Sequence, residues 1–496
     1  MDQRELDGRL VSVVPHERQI AFQQTEFYAF VHFTVNTFTD REWGDGEESP
    51  EIFFPEKFDA MQWVRAIVSA GMKGLILTCK HHDGFCLWPS KYTKHSVAYS
   101  PFRRDIVKEV AEACKAHGIK FGVYLSPWDR NSRLYGTGRE YDDYFVSQLR
   151  ELLTNYGEIF SVWFDGACGE GSNGKKQYYD WDRYYQVIRE LQPGACISVC
   201  GPDVRWCGNE AGHTREAEWS VVPARTRDTE KIMENSQQKD DAEFRQRKIS
   251  AWDADLGSRE ILENEADLVW YPAEVNTSIR PGWFWHESED EKVRPLEELI
   301  GIYYNSVGGN ATFLLNIPPT KDGLFHENDM KRLAQMGEYL RDAFEHNLLS
   351  TASVTASAMA GQDIKAQACI AKEGDTKAQA CIADARDIKA LICTDDYDTF
   401  YQPEAGETRV EILLKWNEPV KIRHIVLKEN IRMSQRIERF DVEILVEDGF
   451  RRIYEGTVIG YKRILPFADG IQTDTIRIVI KDSRMEPTIA FLGAYA

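Results

Sequence analysis

The sequence contains no apolar run close to the roughly 20 residues that cross a bilayer, so we expect no membrane insertion. Basic residues are also scarce: 60 lysines and arginines stand against 80 aspartates and glutamates, and the formal net charge is −20. The field of such a surface repels polyanions, so we expect no nucleic-acid partner. The first eight residues, MDQRELDG, lack the basic and apolar segments of a signal peptide. We therefore expect a cytoplasmic protein, with a periplasmic or secreted one as the alternative if an export segment has been removed.

The 496 residues include ten cysteines but no CxxC pair, and no second cluster of cysteine or histidine stands at the spacing of zinc ligands. We expect reduced, structural thiols and no metal. A G-x-G-x-x-G motif is also missing after the first predicted strand, which argues against an open dinucleotide-binding sheet. Aromatic residues, in contrast, are plentiful and make up 12% of the chain.

Apolar runs alternate with amphipathic stretches as far as about residue 346. The predicted strands are 27–33, 73–79, 119–125, 159–164, 195–200 and 311–317, and the predicted helices are 58–70, 104–117, 140–156, 181–191 and 295–305. Short strands that alternate with helices of about 12 residues predict a parallel sheet. Eight such units close a barrel, and residues 201–290 leave room for the two strands that the count lacks.

We therefore predict a (β/α)8-like barrel, an α/β fold, for residues 1–346, with the helix 328–346 closing the domain. An open doubly wound sheet is the alternative. Beyond residue 346 the apolar residues alternate with a period of two, as in 440–446 (FDVEILV) and 475–481 (TIRIVIK). This period is typical of an antiparallel sheet with one wet face, so 347–496 is predicted to be a β-sandwich domain.

Two further strands of this second domain are predicted at 410–414 and 422–428. Near its start, IKAQACIA at 364–371 almost recurs as TKAQACIA at 376–383. Two copies are too few for a solenoid, so a duplicated hairpin or an extended loop is the expected explanation.

Active residues of such barrels stand where the strands end at their carboxyl face. Charged, imidazole and aromatic groups follow five predicted strands in succession: His32 with Glu42 and Trp43, then His81, His82 and Asp83, then Tyr124 with Trp128, Trp163 with Asp165, and Trp206 with Glu210. The carboxyl ends of parallel strands share one edge. These groups are therefore expected to meet on one rim.

Asp165 follows an apolar strand and precedes Gly166, which predicts a tight and partly desolvated position. An ionised carboxylate there could attack an anomeric carbon and form a glycosyl-enzyme ester. A second carboxyl group, protonated and about 5–5.5 Å away, would have to assist the leaving group. Glu210, Glu216 and Glu218 are the candidates in the sequence.

We favour Glu210 among these three acids. Gly208 and Gly212 flank it and permit an unusual path of the loop into a cleft. The other interpretation is a solvated loop without a function, because the segment 208–219 (GNEAGHTREAEW) is polar throughout.

The histidines allow three interpretations: a metal site, hydrogen bonds to a sugar, or structural histidines whose hydrogen bonds are satisfied within the protein. Adjacent histidines on a strand point to opposite faces, so His81 and His82 could bind one metal only if the backbone has left strand geometry. We favour hydrogen bonds from His32, His81 and His82 to sugar hydroxyl groups, with metal-dependent hydrolysis as an alternative. Tryptophan rings pack on the C–H faces of sugars, and the loop 280–286 (RPGWFWH), with Trp283, is a predicted wall of the pocket.

Together, these stretches resemble the α-L-fucosidases of glycoside hydrolase family 29. The resemblance rests on 32–38 (HFTVNTF) with 42–44 (EWG), on 80–85 (KHHDGF), on 122–126 (GVYLS) and on 163–166 (WFDG), in the order of the family. It implies retaining hydrolysis of α-L-fucosides through a covalent fucosyl-enzyme, with Asp165 as the nucleophile. It also implies that fucose is held by His32, Glu42, Trp43, His81, His82, Tyr124 and Trp163.

The segments 208–212 (GNEAG), 218–220 (EWS) and 278–283 (SIRPGW) resemble the subgroup selective for branched α-1,3/1,4-linked fucosides, as in Lewis-type glycans. In that subgroup the Glu of the GNE element, here Glu210, is implied to be the acid/base. The first motif reads HFTVNT where many relatives outside the subgroup have HFG, which leaves the linkage preference open.

Residues 347–350 (NLLS) and 431–437 (IRMSQRI) resemble a discoidin-like, galactose-binding-type sandwich. We expect this domain to buttress the barrel, with glycan binding as the alternative.

The resulting hypothesis is an α-L-fucosidase that takes a fucosylated oligosaccharide or glycan as substrate. No cofactor is expected, because two carboxyl groups with pKa values pushed apart can supply both catalytic roles. A broad-specificity enzyme that also cleaves α-1,2 linkages, and a non-catalytic carbohydrate-binding barrel, are the alternatives. The oligomeric state does not follow from the sequence.

Overall fold

A ring of parallel strands forms the first part of the computed structural model, which describes residues 2–236, 255–358, 366–368, 384–385 and 388–496. In chain order the first six strands are β1 (Phe27–Val31), β2 (Gly74–Lys80), β3 (Lys120–Leu125), β4 (Ser161–Phe164), β5 (Cys196–Val199) and β6 (Arg205–Trp206). An antiparallel ribbon of β7 (Val221–Pro223) and β8 (Leu268–Trp270) follows, and then β9 (Ala273–Ser278) and β10 (Ala311–Asn316) complete the ring.

The order of strands around this sheet is β5-β4-β3-β2-β1-β10-β9-β6, which is the chain order once the ribbon is set aside. All neighbouring pairs are parallel. A parallel bridge between Ser198 and Val204 brings the two edge strands together, and the Val199 N–H donates to the Val204 carbonyl over 3.1 Å. The barrel is therefore nearly closed. The prediction of a (β/α)8-like barrel is confirmed, and the open doubly wound sheet was the wrong alternative.

Helices cover the outside of the barrel, and those predicted begin and end within two residues of their predicted bounds. The helices that pack around the strands are Ala60–Ser69, Ile106–Ala116, Arg139–Asn155, Trp181–Leu191, Leu296–Ser306 and Glu327–Glu345. Asp59, Asp105 and Asp180 each accept a hydrogen bond from a backbone N–H of the first turn, which starts three of these helices. Gly118 lies beyond one helix end with φ +68°, where a side chain would be strained.

Further helices were not part of the predicted barrel. They are Gln3–Val11, Glu17–Gln23, Val35–Thr39, Thr229–Ser236, Arg259–Leu262 and Ile388–Ile392. Leu6, Leu10 and Ile20 of the first two pack against Ile431 and Tyr461 of the C-terminal part, so the N-terminus ties the two parts together. None of the helices in the described ranges has the length and apolar character that a membrane span requires.

An antiparallel sheet of nine strands makes up the C-terminal part. The strands are β11 (Ser353–Ala358), β12 (Ala366–Ala368), β13 (Asp384–Ala385), β14 (Tyr401–Gln402), β15 (Val410–Glu429), β16 (Ile437–Val446), β17 (Gly449–Gly456), β18 (Arg463–Ser483) and β19 (Ile489–Tyr495). The first half of β15 pairs with β11 and its second half with β19, while β18 runs beside both halves. Both halves contribute to one apolar core, as expected of a sandwich.

Two details of the C-terminal part differ from the sequence-based expectation. The predicted strands 410–414 and 422–428 are the two halves of β15, because the chain keeps pairing with β18 through register shifts instead of turning. The near-repeat at 364–383 lies outside the described residues except for β12, so its explanation stays a prediction. The domain boundary at residues 346 and 347 also stays a prediction. The eight cysteines of the described ranges are all free, and seven are buried.

A buried carboxylate joins the barrel to the sandwich at the end of the barrel opposite the strand carboxyl termini. Glu26, directly before β1, accepts from the Tyr461 hydroxyl over 2.7 Å and lies within 3.5 Å of the ammonium groups of Lys73, Lys428 and Lys462. Burial favours the neutral acid, but the three ammonium groups outweigh it and hold the pKa of Glu26 well below its usual range.

We predict that Glu26→Gln destabilises the protein by about 3 kcal/mol, because it removes the buried negative charge beside the ammonium groups of Lys428 and Lys462, which are 3% and 13% exposed. Urea unfolding at pH 7 measures this loss. Since the folded pKa of Glu26 is depressed, the difference from wild type should shrink as the pH falls through that pKa. Glu455→Gln, which disrupts exposed pairs with Arg439 and Arg452, is the matched control and should change the midpoint little. An equal effect of the two substitutions would contradict the prediction.

Candidate active site

A cleft opens at the carboxyl ends of the barrel strands. Its walls are Phe30, His32, Glu42, Trp43, His81, His82, Trp163, Asp165, Ala167, Val199, Trp206, Glu210, Ser236, Asn276 and Trp283. Nine of the ten site residues proposed from the sequence are among them, and Tyr124 is the tenth. The structure thus brings these side chains together, while the role of each stays a prediction.

Asp165 lies directly after β4 at the base of the cleft, with 20% of its side chain exposed. Its Oδ1 accepts from the Ala167 N–H over 2.8 Å, and its Oδ2 accepts from the Tyr124 hydroxyl over 2.9 Å. Burial raises the pKa of Asp165, and these hydrogen bonds oppose the rise. The arrangement suits a carboxylate that must be ionised in a nearly dry place.

Tyr124 has a place that the resemblance did not imply. It is fully buried on β3 behind the cleft wall, with its ring stacked on Trp163 at a centroid distance of 5.2 Å. Its hydroxyl donates to Asp165. The structure therefore gives Tyr124 a positioning contact with the carboxylate, and its direct contact with sugar stays a prediction.

His32 follows β1 and is held by Asn316 at the end of β10. The Asn316 amide N donates to the Trp283 carbonyl over 2.8 Å, so its Oδ1 accepts from His32 Nδ1 over 2.8 Å. The lone pair of the His32 ring is then on Nε2. Burial lowers the pKa of His32 to about 4, so the ring is neutral at neutral pH and can accept a hydroxyl hydrogen.

His82 is fixed in the same way by the loop after β3. The Ser126 hydroxyl donates to the Trp128 carbonyl, so His82 Nδ1 donates to Ser126 Oγ over 2.7 Å. The remaining lone pair, on Nε2, lies 3.6 Å from Asp165 Oδ2, too far for a hydrogen bond. Burial lowers the pKa of His82 to about 3. Each of these two acceptors can take a hydrogen bond from a hydroxyl group of a bound ligand.

A metal could use the same corner. β2 ends at Lys80, so His81 and His82 have left strand geometry, and their rings lie 4.1 Å apart instead of on opposite faces. In the described part of the chain, the group with ligand atoms within 4.8 Å of one another is His81, His82 and Asp165. Tetrahedral ligands at about 2.1 Å from zinc are roughly 3.4 Å apart. His82 Nε2 and Asp165 Oδ2, 3.6 Å apart, are close to this spacing, so the absence of a metal stays an expectation.

Glu42 and Glu210 meet opposite ends of the same tryptophan. Glu42 Oε2 accepts from the Trp283 backbone N–H over 2.8 Å, and the Trp283 indole N–H donates to Glu210 Oε2 over 2.9 Å. Gly208 and Gly212 on either side of Glu210 have φ values of +98° and +81°. These are the conformations that the paired glycines led us to expect.

The other two candidate acids have different surroundings. Glu218 is fully buried between Arg205 at 2.9 Å and Arg215 at 3.1 Å. Burial alone would raise its pKa, but the two guanidinium groups outweigh it and lower the pKa. Glu216 is exposed and does not line the cleft. Of the three acids, Glu210 is the one at the cleft.

Sequence reasoning missed the polar residues of β9. Glu274 accepts from the Trp163 indole N–H over 2.7 Å and from the Tyr28 hydroxyl over 2.5 Å, and burial raises the pKa of Glu274 to about 7. Asn276 accepts from the Trp206 indole N–H over 3.0 Å. The alternation of polar side chains in the strand AEVNTS was the available signal.

Thr34 explains the HFTVNT form of the first motif. Its hydroxyl donates to Asp83 over 2.8 Å and accepts from the Asn36 N–H over 3.2 Å. Asp83 also accepts from the Phe85 N–H over 2.7 Å. Thr34 thus links the loops that carry His32 and His81, which a glycine at this position cannot do.

Carboxyl groups that border a cleft at the carboxyl face of a nearly closed (β/α)8-like barrel are typical of glycoside hydrolases. The family model for α-L-fucosidase matches residues 13–345. Alpha-L-fucosidase 1 of Arabidopsis thaliana is 38% identical over 97% of this chain and 87% of its own length. This chain belongs to the α-L-fucosidase family, and its substrates are fucosylated glycans.

Solved structures agree with this assignment. A family 29 fucosidase of Ruminococcus gnavus in complex with fucose has a TM-score of 0.80 and 29% identity, over 97% of this chain and 95% of that one. A family 29 glycoside hydrolase from an unknown rumen bacterium has a TM-score of 0.75 and 36% identity, over 97% of this chain and 77% of that one.

We predict that Tyr124→Phe lowers kcat/KM about ten- to hundredfold, the range for a lost hydrogen bond to a charged group. The phenol hydrogen bond lowers the pKa of Asp165, so its removal should move the acidic limb of the pH–rate profile to higher pH. Tyr304→Phe is the control, because its hydroxyl contacts His424 and Tyr339 away from the cleft. An unshifted acidic limb in Tyr124→Phe would show that the contact does not tune the carboxylate.

Proposed function

We propose that this α-L-fucosidase is a retaining enzyme that removes α-1,3- and α-1,4-linked fucose from branched, Lewis-type oligosaccharides. Asp165 acts as the nucleophile and Glu210 as the acid/base. The observation that carries the proposal is that Asp165 after β4 and Glu210 after β6 border one cleft, while Glu218 is paired with two arginines and Glu216 is outside it.

The reaction takes two displacements. In the first, an Asp165 carboxylate oxygen bonds to the anomeric carbon, the glycosidic C–O bond breaks, and the Glu210 proton goes to the departing oxygen. In the second, Glu210 takes a proton from water, the water oxygen bonds to the anomeric carbon, and the ester to Asp165 breaks. Two inversions give fucose with retained configuration, and both carboxyl groups return to their starting states.

The surroundings of each carboxyl group suit its role. Asp165 accepts an N–H and a phenolic hydrogen bond, which favour the ionised form that a nucleophile needs. Glu210 lies on a loop with two glycines of positive φ, beside the Trp283 indole on the leaving-group side of the cleft. Neutral His32 and His82 present ring lone pairs to the hydroxyl groups of the fucosyl unit.

The linkage preference rests on the loops after β6 and β9. Trp283 of the SIRPGW segment contacts Glu210 of the GNEAG segment, so the two elements that resemble the branched-glycan subgroup form one wall. A wall on the leaving-group side selects between acceptor sugars. A broad-specificity α-L-fucosidase that also cleaves α-1,2 linkages is the second candidate, and the HFTVNT motif does not decide between them.

We predict that Asp165→Gly lowers turnover by three or more orders of magnitude and that azide restores part of it. Removing a nucleophilic carboxylate costs roughly this much, and azide can enter the vacated space and attack the anomeric carbon directly. NMR of the product should identify a β-fucosyl azide, formed with a single inversion. Near-normal turnover without azide would refute the nucleophile assignment.

For the acid/base, we predict that Glu210→Ala loses activity on a natural oligosaccharide far more than on an aryl fucoside. A good leaving group departs without a proton, so only poor leaving groups need the acid. Glu216→Ala, a change to an exposed acid of the same loop, is the control and should behave like wild type. Equal losses on both substrates in Glu210→Ala would speak for a different acid.

The linkage proposal is tested by a digestion panel of Lewis trisaccharides, 2′-fucosyllactose and an aryl fucoside. We expect rapid release of fucose from the Lewis trisaccharides and little from the other two. Comparable cleavage of 2′-fucosyllactose would support the broad-specificity alternative and leave the two catalytic assignments untouched.

A further inference from the structure

His286 bridges two loops on the rim of the cleft. Its Nε2 lies 2.7 Å from Glu42 Oε1, on the loop after β1, and its Nδ1 lies 2.7 Å from Asp40 Oδ1 of the same loop. Glu42 faces the cleft, whereas Asp40 is on the outside with 65% of its side chain exposed. The imidazole therefore connects a cleft carboxylate to a surface carboxylate.

Both ring nitrogens face carboxylate oxygens, and this fixes the protonation state of the ring. A carboxylate can only accept, so each short contact needs a hydrogen on the ring nitrogen. A neutral imidazole carries one such hydrogen and would leave a lone pair against an anion. The geometry therefore requires an imidazolium.

Glu42, on one side of this imidazolium, also holds the loop after β9. Its carboxylate accepts from the backbone N–H groups of Trp283 over 2.8 Å and Phe284 over 3.1 Å. Gly282 lets the chains come this close, because a Cβ there would lie 2.5 Å from Glu42 Oε1 and 2.9 Å from a carbon of the His286 ring. His286, Glu42 and the 282–284 backbone form one clamp.

The clamp reaches both halves of the proposed chemistry. Glu42 borders the cleft beside His32, and Trp283, whose backbone it holds, donates its indole N–H to Glu210. A loop that moves when the clamp opens would displace a sugar-facing carboxylate and a neighbour of the acid/base together.

The geometry points to His286 as a positioning residue for this α-L-fucosidase: its imidazolium holds Glu42 and the Trp283 loop in place, and fucose binding weakens when it loses its proton. The inference deepens the proposed function, since it rests on Glu42 facing the sugar.

The charged surroundings of His286 agree with this role. The hydrogen bond to Glu42 raises its pKa to about 9, against the opposing effect of burial, and Asp40 and Glu289 add to the rise. Glu42 and Asp40 lie on the loop after β1, and Glu289 lies on the same segment as His286. Because the folded-state pKa lies above the ordinary value of 6.5, the clamp is intact below pH 6.5 and is lost as the pH rises through about 9.

The test is the dissociation constant of L-fucose, measured by calorimetry from pH 7 to 10.5. His286→Gln keeps the cleft carboxyl groups, so a loss of affinity near pH 9 that is present in wild type and absent from this variant reports on His286. Wild type should lose affinity as the pH rises through about 9. His286→Gln keeps a neutral donor toward Glu42, and we expect about tenfold weaker binding at pH 7, the loss of one charge-assisted hydrogen bond, with no limb near pH 9.

Two further variants separate positioning from mere structure. Asp40→Asn removes the outer carboxylate, so it should move the limb to lower pH without abolishing it. His346→Gln changes an exposed histidine beside Glu345 and should leave the profile as in wild type. Thermal unfolding of each variant shows whether it folds. If His286→Gln does not fold, the pH shift expected for Asp40→Asn tests the inference instead.

Glu42→Gln distinguishes the two ways in which the inference could fail. If Glu42→Gln binds fucose weakly, while His286→Gln binds it like wild type and still loses affinity near pH 9, only the role of His286 is overturned. Wild-type binding in both variants overturns the sugar-facing role of Glu42, and with it part of the proposed function. An unmoved limb in Asp40→Asn also contradicts the inference.

Discussion

The hydrogen bonds that Asp165 accepts from the Ala167 N–H and the Tyr124 hydroxyl are the interaction on which the cleft depends. Burial alone raises the pKa of this group, because a charge in a poorly hydrated place is costly. Two donors aimed at its oxygens restore part of what water would have supplied. Their positions depend on the barrel core, since the Tyr124 ring is stacked between His81 at 5.7 Å and Trp163 at 5.2 Å. Packing inside the barrel therefore acts on the charge of the carboxylate.

The same burial acts on the imidazoles in the opposite sense. It lowers the pKa of His32 to about 4 and that of His82 to about 3, so both rings stay neutral, and Asn316 and Ser126 decide which nitrogen carries the hydrogen. This has a cost in stability. Acidification below pH 6.5 protonates these rings in the unfolded chain before the folded one, so stability is lost as the pH falls from 6.5 toward 3. His286 behaves differently because two carboxylates stabilise its charge.

Much of the fold could be predicted because buried strands and buried helix faces show as apolar patterns in the sequence. Strands β1 to β5 are mainly apolar, and every residue of β1 and β2 is buried. β6 has two residues, which is too short for a hydrophobic pattern. β9 does not show the apolar run of a barrel strand, because Glu274 and Asn276 are polar and buried inside the barrel. The strand-end rule found the residues around the cleft. The rule could not find His286, which lies eight residues after the end of β9. His286 contacts Asp40 only because the loops after β1 and β9 come together. A strand-end position also does not tell whether the ring of Tyr124 faces the cleft or the wall behind it.

The sandwich packs on the segment that follows Glu210, as a buttress would, and its role as a buttress or as a glycan-binding domain stays a prediction. The loop of Glu210 continues into a segment that packs on the sandwich: the Ser220 N–H donates to the Gln435 side chain over 2.9 Å, and the Arg484 guanidinium lies 4.7 Å from the Trp219 ring. These contacts begin nine residues after Glu210 and fix where the chain goes when it leaves the cleft. A loop with two glycines needs constraints on its path: Asn209 provides one within the loop, by accepting from the Ala211 and His213 N–H groups over 3.1 Å each, and the contacts of Trp219 and Ser220 provide a second. The sandwich supplies this constraint with the surface that faces the barrel, and that surface is therefore occupied by the enzyme itself.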